Sequence, residues 1–353
     1  MDKNYIVVGA YTENSSSEGI SIFEINSETG ELMEQTTVKC TNPSFLKVYD
    51  NLIFAVSEVD KKGCLMTFEW NRSLNTIEKK SEIETKGGAS CYLDVWKKLN
   101  FISIANYASG IYATCSVDET GSLKEVTDVK ENEGMGPNQE RQTQAHAHSI
   151  TADQNRNYFI GADLGSDTLY IYRADEKTGK LIPNEHQPSI RVSPGEGPRH
   201  LAFHKNNKYV YAVTELKNSL ITYSFHEETG VLQELEKITL VNEGEQGGCY
   251  GADLHISKDG MFLYTSVRGA DCIFAHQIDE KTGLLSLVGE YRSGGRWPRN
   301  FCITPDDQYI IAANQNSGNI VVFRRDQISG ALSEEVFEVK MEQPVCVVPF
   351  YAG

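Results

Sequence analysis

The feature that most constrains this chain is a short marker that keeps returning. The pattern Glu/Asp–x–Thr–Gly–x–Leu occurs as Glu28–Leu32, Glu119–Leu123, Glu176–Leu181, Glu227–Leu232 and Glu280–Leu285. A weaker copy stands at Gln327–Ile–Ser–Gly–Ala–Leu332. Successive copies lie about 50 residues apart, and the one interval of twice that length holds a degenerate copy at Arg72–Ile77. Thr–Gly or Ser–Gly supplies a tight turn between alternating apolar runs, so each marker reads as a hairpin tip. Every full repeat contains four strand-like runs. Four-stranded units repeated at this period predict an all-β, seven-bladed β-propeller.

The repeats map onto the chain without a linker, which predicts one domain over residues 1–353. They run from Tyr5 to Cys40, from Asn42 to about Lys86, and from Gly87 into the polar segment Gly134–Gln144; the others open at Ala145, Gly197, Tyr250 and Arg296. The first repeat lacks an opening strand, since Tyr5–Val8 matches the second strand of its neighbours. The tail Gln343–Pro–Val–Cys–Val–Val348 matches the missing piece, with Pro344 standing where Pro43, Pro198 and Pro298 stand. The tail is therefore expected to pair with the first blade and leave no open edge.

At 353 residues two domains would be the default expectation, but radial sheets grow as one unit. The frequent Tyr, Phe, Val, Ile and Thr favour strands, and no stretch keeps a helical period. The net charge of −16 argues against nucleic-acid and anionic-membrane partners, which both need a cationic surface. The eight cysteines occur singly, mostly inside apolar runs, and read as small buried side chains. With no signal-peptide pattern before Tyr5 and no membrane-length apolar run, the expected compartment is the cytoplasm.

Candidate chemistry gathers where first strands begin and second strands end. The organising stretch is Gly195–Glu–Gly–Pro–Arg–His–Leu–Ala–Phe–His204 followed by Tyr209–Val–Tyr–Ala–Val–Thr–Glu215. In an antiparallel pair Arg199 and Glu215 fall at the same end. Equivalent positions supply His146, His148 and Asp163; Arg199, His200 and Glu215; Asp253 and Arg268; Arg299, Asn300 and Asn314. The first three blades offer Tyr11, Glu58, Asn106 and Tyr107. Three of only twelve arginines occupy these positions in an acidic chain, which points to a small anionic ligand, since guanidinium binds carboxylate and phosphate bidentately. Arg199–Glu215 as a structural ion pair and Arg268 as a buried plug are the plain alternatives.

Ala145–His–Ala–His148 puts two imidazoles on one strand, a workable metal geometry, but no third ligand has a clear claim. No metal and no cofactor are expected, and a water-activating base is the preferred role for one of the pair. There is no nucleotide-binding glycine fingerprint and no G-x-S-x-G elbow.

Gly197–Pro–Arg–His–Leu–Ala–Phe–His204, Ala252–Asp–Leu–His–Ile–Ser–Lys–Asp–Gly260, Pro298–Arg–Asn–Phe301 and Ala162–Asp–Leu–Gly–Ser–Asp167 resemble the lactonase family of seven-bladed propellers. That family includes bacterial 6-phosphogluconolactonases and fungal carboxy-muconate lactonizing enzymes, and the resemblance spans essentially the whole chain. It implies catalytic counterparts at His148, Arg199, Glu215 and Arg268, where Ser266–Val267–Arg268 departs from the family's Ser–Asn–Arg. The expected activity is hydrolysis of a small anionic sugar δ-lactone, 6-phosphogluconolactone first, in the pentose phosphate pathway. Substrate contacts are expected from His146, Asp163, Arg299 and Asn314. A muconate-type cycloisomerase and a non-enzymatic propeller scaffold are the alternatives.

Overall fold

A computed structural model describes residues 3–241 and 247–352. Strands alone make up its regular structure, and no helix is long and apolar enough to cross a membrane. The first sheet contains β1 (Lys3–Ala10), β2 (Gly19–Ile25) and β3 (Leu32–Lys39). The second holds β4 (Phe45–Tyr49), β5 (Leu52–Ser57), β6 (Cys64–Asn71) and β7 (Thr76–Glu84); the third holds β8 (Ser90–Val95), β9 (Phe101–Asn106), β10 (Ile111–Val117) and β11 (Leu123–Glu131). The fourth comprises β12 (Ala147–Ala152), β13 (Tyr158–Asp163), β14 (Thr168–Asp175) and an outer edge split into β15 (Lys180–Pro183) and β16 (Ser189–Arg191). The fifth is β17 (Pro198–Phe203), β18 (Tyr209–Thr214), β19 (Ser219–His226) and β20 (Val231–Thr239); the sixth is β21 (Tyr250–Ile256), β22 (Phe262–Arg268), β23 (Cys272–Ile278) and β24 (Leu285–Arg292). The seventh is β25 (Pro298–Ile303), β26 (Tyr309–Asn314), β27 (Asn319–Arg325) and β28 (Leu332–Lys340). The tail strand β29 (Pro344–Ala352) pairs antiparallel with β1, Val348 opposite Val7, so the first sheet has the order β29-β1-β2-β3. These are the blades of a seven-bladed β-propeller, completed by the tail as the sequence predicts.

The chain divides into two compact units, residues 1–55, 68–79 and 252–353, and residues 56–67 and 80–251. In the first, Ile6, Val8, Phe23 and Val347 share a core with Tyr309, Ile311 and Ile320 of the seventh blade. In the second, Ile160, Leu169 and Ile171 pack on Leu201, Val210 and Tyr223. Second strands such as β13, β18 and β26 are buried along their whole length, whereas the outer strands β20 and β28 each bury one residue near the start and are otherwise exposed or half-buried. The eight cysteines are free and buried, as small core side chains.

The marker glycines explain the repeat. Gly230 and Gly330 take left-handed φ values of 67° and 75°. A Cβ on Gly230 would come within 2.4 Å of the Tyr158 ring, and one on Gly330 within 2.2 Å of Phe262. Tyr158 and Phe262 each open the second strand of the preceding blade, so the marker is both a turn and the seat of a blade-to-blade contact. The Tyr158 hydroxyl adds a hydrogen bond to the Glu228 carbonyl at 2.9 Å. Gly230→Ala meets backbone strain and a ring at once, and should destabilise the fold by about 1–3 kcal/mol. An unchanged melting temperature would reject this role.

His276 lies buried on β23, and its Nδ1 finds no hydrogen-bond partner among the described residues. Burial pushes its pKa down to about 4. The unfolded chain binds a proton near pH 6.5, so this histidine withdraws stability as pH falls from there to about 4, by about 3 kcal/mol in total. His276→Leu is expected to flatten the fall in melting temperature over that window; an identical pH profile would refute the assignment.

Candidate active site

The inner end of several blades carries one backbone device. Between Ser90 and Tyr92, Ala147 and Ser149, Pro198 and His200, and Pro298 and Asn300, the register with the second strand slips by one residue. Cys91, His148, Arg199 and Arg299 are thus bulged residues, and a bulge re-aims its side chain. Across from each bulge ends the second strand. Its last residue, Asn106, Asp163, Thr214 or Asn314, is fully buried. The residue after it is Tyr107, Leu164, Glu215 or Gln315, whose N–H groups bond to the carbonyls of Ala89, His146, Gly197 and Trp297.

In the second unit these positions converge on Glu215, whose side chain is only 3% exposed. Arg199 Nε donates to Glu215 Oε2 at 3.1 Å, and Arg141 Nη2 donates to Oε1 at 2.5 Å. His148 Nε2 stands 3.7 Å from Oε2. Arg199 Nη1 lies 3.3 Å from His200 Nε2. Guanidinium has no acceptor, so that imidazole nitrogen accepts and the His200 proton sits on Nδ1. Arg141 Nη2 also donates to the Tyr107 hydroxyl at 3.2 Å. The Tyr107 ring stacks on His146 at 4.5 Å and meets His148 edge-on at 5.4 Å, while His148 meets His200 edge-on at 5.4 Å.

Two guanidiniums and one carboxylate leave this cluster a formal +1, in a chain of net charge −16. Burial, reinforced by the Glu215 charge, pushes the Tyr107 pKa up and keeps its hydroxyl a donor. Burial opposes the charge on Arg141 most strongly, but Glu215 and the Tyr107 hydroxyl together outweigh it and raise the guanidinium pKa. The arrangement offers an imidazole base beside a rigidly held cation, a combination suited to attack by water on a carbonyl.

The family described as Lactonase, 7-bladed beta-propeller matches residues 5–349. The chain belongs to the lactonase family. It is a lactone-opening carboxylic ester hydrolase. The chain is similar to the 6-phosphogluconolactonase of Bacillus subtilis (strain 168), with 31% identity over 350 residues that cover 98% of each chain. It is also similar to the 6-phosphogluconolactonase of Formosa agariphila, with 32% identity over 93% of this chain and 94% of the relative. Among solved structures, the periplasmic gluconolactonase of Pseudomonas aeruginosa aligns with a TM-score of 0.92 and 27% identity, covering 99% of each chain.

The lactonase brings His148, Arg199 and Glu215 together, with His146 beside them. Asp163, expected from the sequence to contact substrate, has a wholly buried carboxylate that accepts the N–H groups of His146 and Ser166, each at 2.9 Å. Burial raises its pKa despite those bonds. Asn314 is likewise wholly buried and donates to the Ser293 carbonyl at 2.8 Å. Both hold backbone one residue short of the positions of Tyr107 and Glu215, and on a strand one residue reverses the face. Arg268, Arg299 and Asn314 belong to the first unit. Arg268 is buried with its guanidinium 5.6 Å over Trp297, and Arg299 lies 5.4 Å over Tyr11. Arg141 escaped the blade-by-blade comparison because it lies in the polar segment between β11 and β12, outside the repeat. A lone cation in that segment was its only signal.

Among the described residues no three His, Cys, Asp or Glu side chains gather closely enough to hold a metal ion. His146 Nδ1 lies 2.9 Å from the Tyr107 carbonyl oxygen. Exhaustive chelation is expected to leave turnover intact. Loss of activity restored by a divalent ion would turn the His146–His148 pair into metal ligands.

Proposed function

We propose that the enzyme hydrolyses a phosphorylated sugar δ-lactone, 6-phosphogluconolactone to 6-phosphogluconate. The observation that supports this most is Glu215, each of whose oxygens takes a different guanidinium while His148 stands beside one of them. In this reading His148 removes a proton from water as its oxygen attacks the lactone carbonyl carbon. The carbonyl oxygen becomes an oxyanion stabilised by Arg199, which Glu215 and His200 hold in place. The ring C–O bond then breaks, and protonated His148 returns its proton to the departing oxygen. The names of the two relatives at 31% and 32% identity support the phosphorylated substrate. The enzyme would act at the lactone step of the pentose phosphate pathway, in a cytoplasm that keeps its free cysteines reduced.

The test is acid release from a panel of sugar lactones with and without a 6-phosphate. Turnover favouring 6-phosphogluconolactone is the expected result. Failure on every sugar lactone, with closure of a muconate diacid instead, would overturn it.

A further inference from the structure

We propose that Arg141 is a specificity-determining residue of this site, the cation that binds the anionic substituent of the substrate. The inference rests on the lactonase reading above and deepens it. The two guanidiniums on Glu215 are not equivalent. Arg199 is 2% exposed, with Nε on Glu215 and Nη1 on His200. Arg141 has a side chain 35% exposed and uses Nη2 for both its partners, Glu215 and Tyr107. Among the described residues its Nε and Nη1 take none, so a planar edge of donors remains for an incoming oxyanion. Its Cζ lies 5.9 Å from the Tyr250 ring, an aromatic wall beside that edge.

The backbone that carries Arg141 is held firmly for a loop. Gln142 is fully buried, and its amide donates at 2.8 Å to both the Leu164 carbonyl and Asp167 Oδ1. The Arg141 N–H bonds to Asn138 Oδ1 at 3.1 Å. The buried Asp167 carboxylate also accepts the N–H groups of Gly195 and Gly197, each at 2.7 Å, in the turn just before Arg199. One carboxylate thus fixes the loops of both arginines. A preorganised cation loses little entropy when an anion arrives.

The test compares wild type, Arg141→Met and Arg141→Lys in two assays. The first is KM and kcat on 6-phosphogluconolactone and on gluconolactone. The second is calorimetric binding of 6-phosphogluconate and of gluconate, which needs no turnover. Arg141→Met should raise KM for the phosphorylated lactone and weaken 6-phosphogluconate binding by on the order of ten- to a hundredfold. Arg141→Met also takes a donor from Glu215, so the phosphate contact is read from the ratio between the phosphorylated and unphosphorylated pairs, which should shift in that direction and be partly recovered by lysine. Binding of 6-phosphogluconate that depends on Arg141, without turnover of its lactone, would support the contact while removing the proposed substrate. Equal losses on both lactones, or wild-type binding indifferent to the phosphate, would overturn it. So would phosphate selectivity that Arg268→Met or Arg299→Met removes and Arg141→Met leaves intact.

Discussion

Arg199→Lys is expected to lower kcat on sugar lactones by on the order of 10²–10³ while KM moves little, since the contact it supports belongs to the transition state. The reason is geometric. Arg199 bonds Glu215 through Nε and His200 through Nη1 at once, and an ammonium point charge cannot reproduce that planar fork. Lysine is chosen over alanine because it keeps the charge. Removing one partner of a buried ion pair outright costs about 3–5 kcal/mol and would blur the reading. His148→Gln should lower kcat by roughly 10²–10⁴ and abolish the acidic limb of the pH–rate profile, where a base becomes protonated. If Arg199 and Glu215 were only a structural pair, Arg199→Lys would act through the melting temperature. A variant that melts early yet keeps kcat removes the catalytic assignment.

A chain ending before Gln343 is expected to lose cooperative folding. The deletion strips β29 from β1 along the whole register from Lys3 to Ala10 and exposes the N–H and C=O groups of that edge. It also removes Val345, Cys346 and Val347, each no more than 2% exposed, and the Val347 N–H bond to Asn300 at 2.6 Å. Phe350 goes too, from a triad in which it lies 5.6 Å from Tyr5 and 5.7 Å from Trp70. Each large apolar side chain is worth about 1.5–3 kcal/mol, so the sum rivals the whole stability of an ordinary fold, about 5–15 kcal/mol. Thermal melting followed by circular dichroism decides it. A truncated chain that melts like the intact one would show that β29 is dispensable.

The blades were legible in the sequence because markers such as those at Gly230 and Gly330 do two jobs that only glycine can do. A positive φ and a ring seated where a Cβ would stand leave Gly230 and Gly330 no substitute. The pairing of the tail was legible through Pro344, which opens its strand as Pro198 and Pro298 open theirs. Within the site, His148, Arg199 and Glu215 could be read because they recur at fixed places in the repeat. Asp163 and Asn314 could be read only as polar strand ends, since polarity marks the end of a strand but not which of two adjacent residues turns inward. The bulges that set this were invisible, since a slipped ladder leaves no mark in composition. Arg141 was hidden because periodicity is silent about segments that do not repeat. Its loop is ordered by Gln142 and Asp167, which meet only after folding.

The bulges leave these blades with interchangeable sockets. Five of them hold a histidine, two arginines, a cysteine and a valine, at His148, Arg199, Arg299, Cys91 and Val345. The ladders on either side set the slip, and the side chain seated there does not. Exchanging a residue at such a place alters reactivity while the backbone that presents it stays the same. Cys91 and Val345 are themselves buried, 5% and 2% exposed, so a replacement there has to fill the same space. A different base or a different charge can therefore enter the site at one position by a single substitution, provided that the new side chain fits the space and its charge finds a partner.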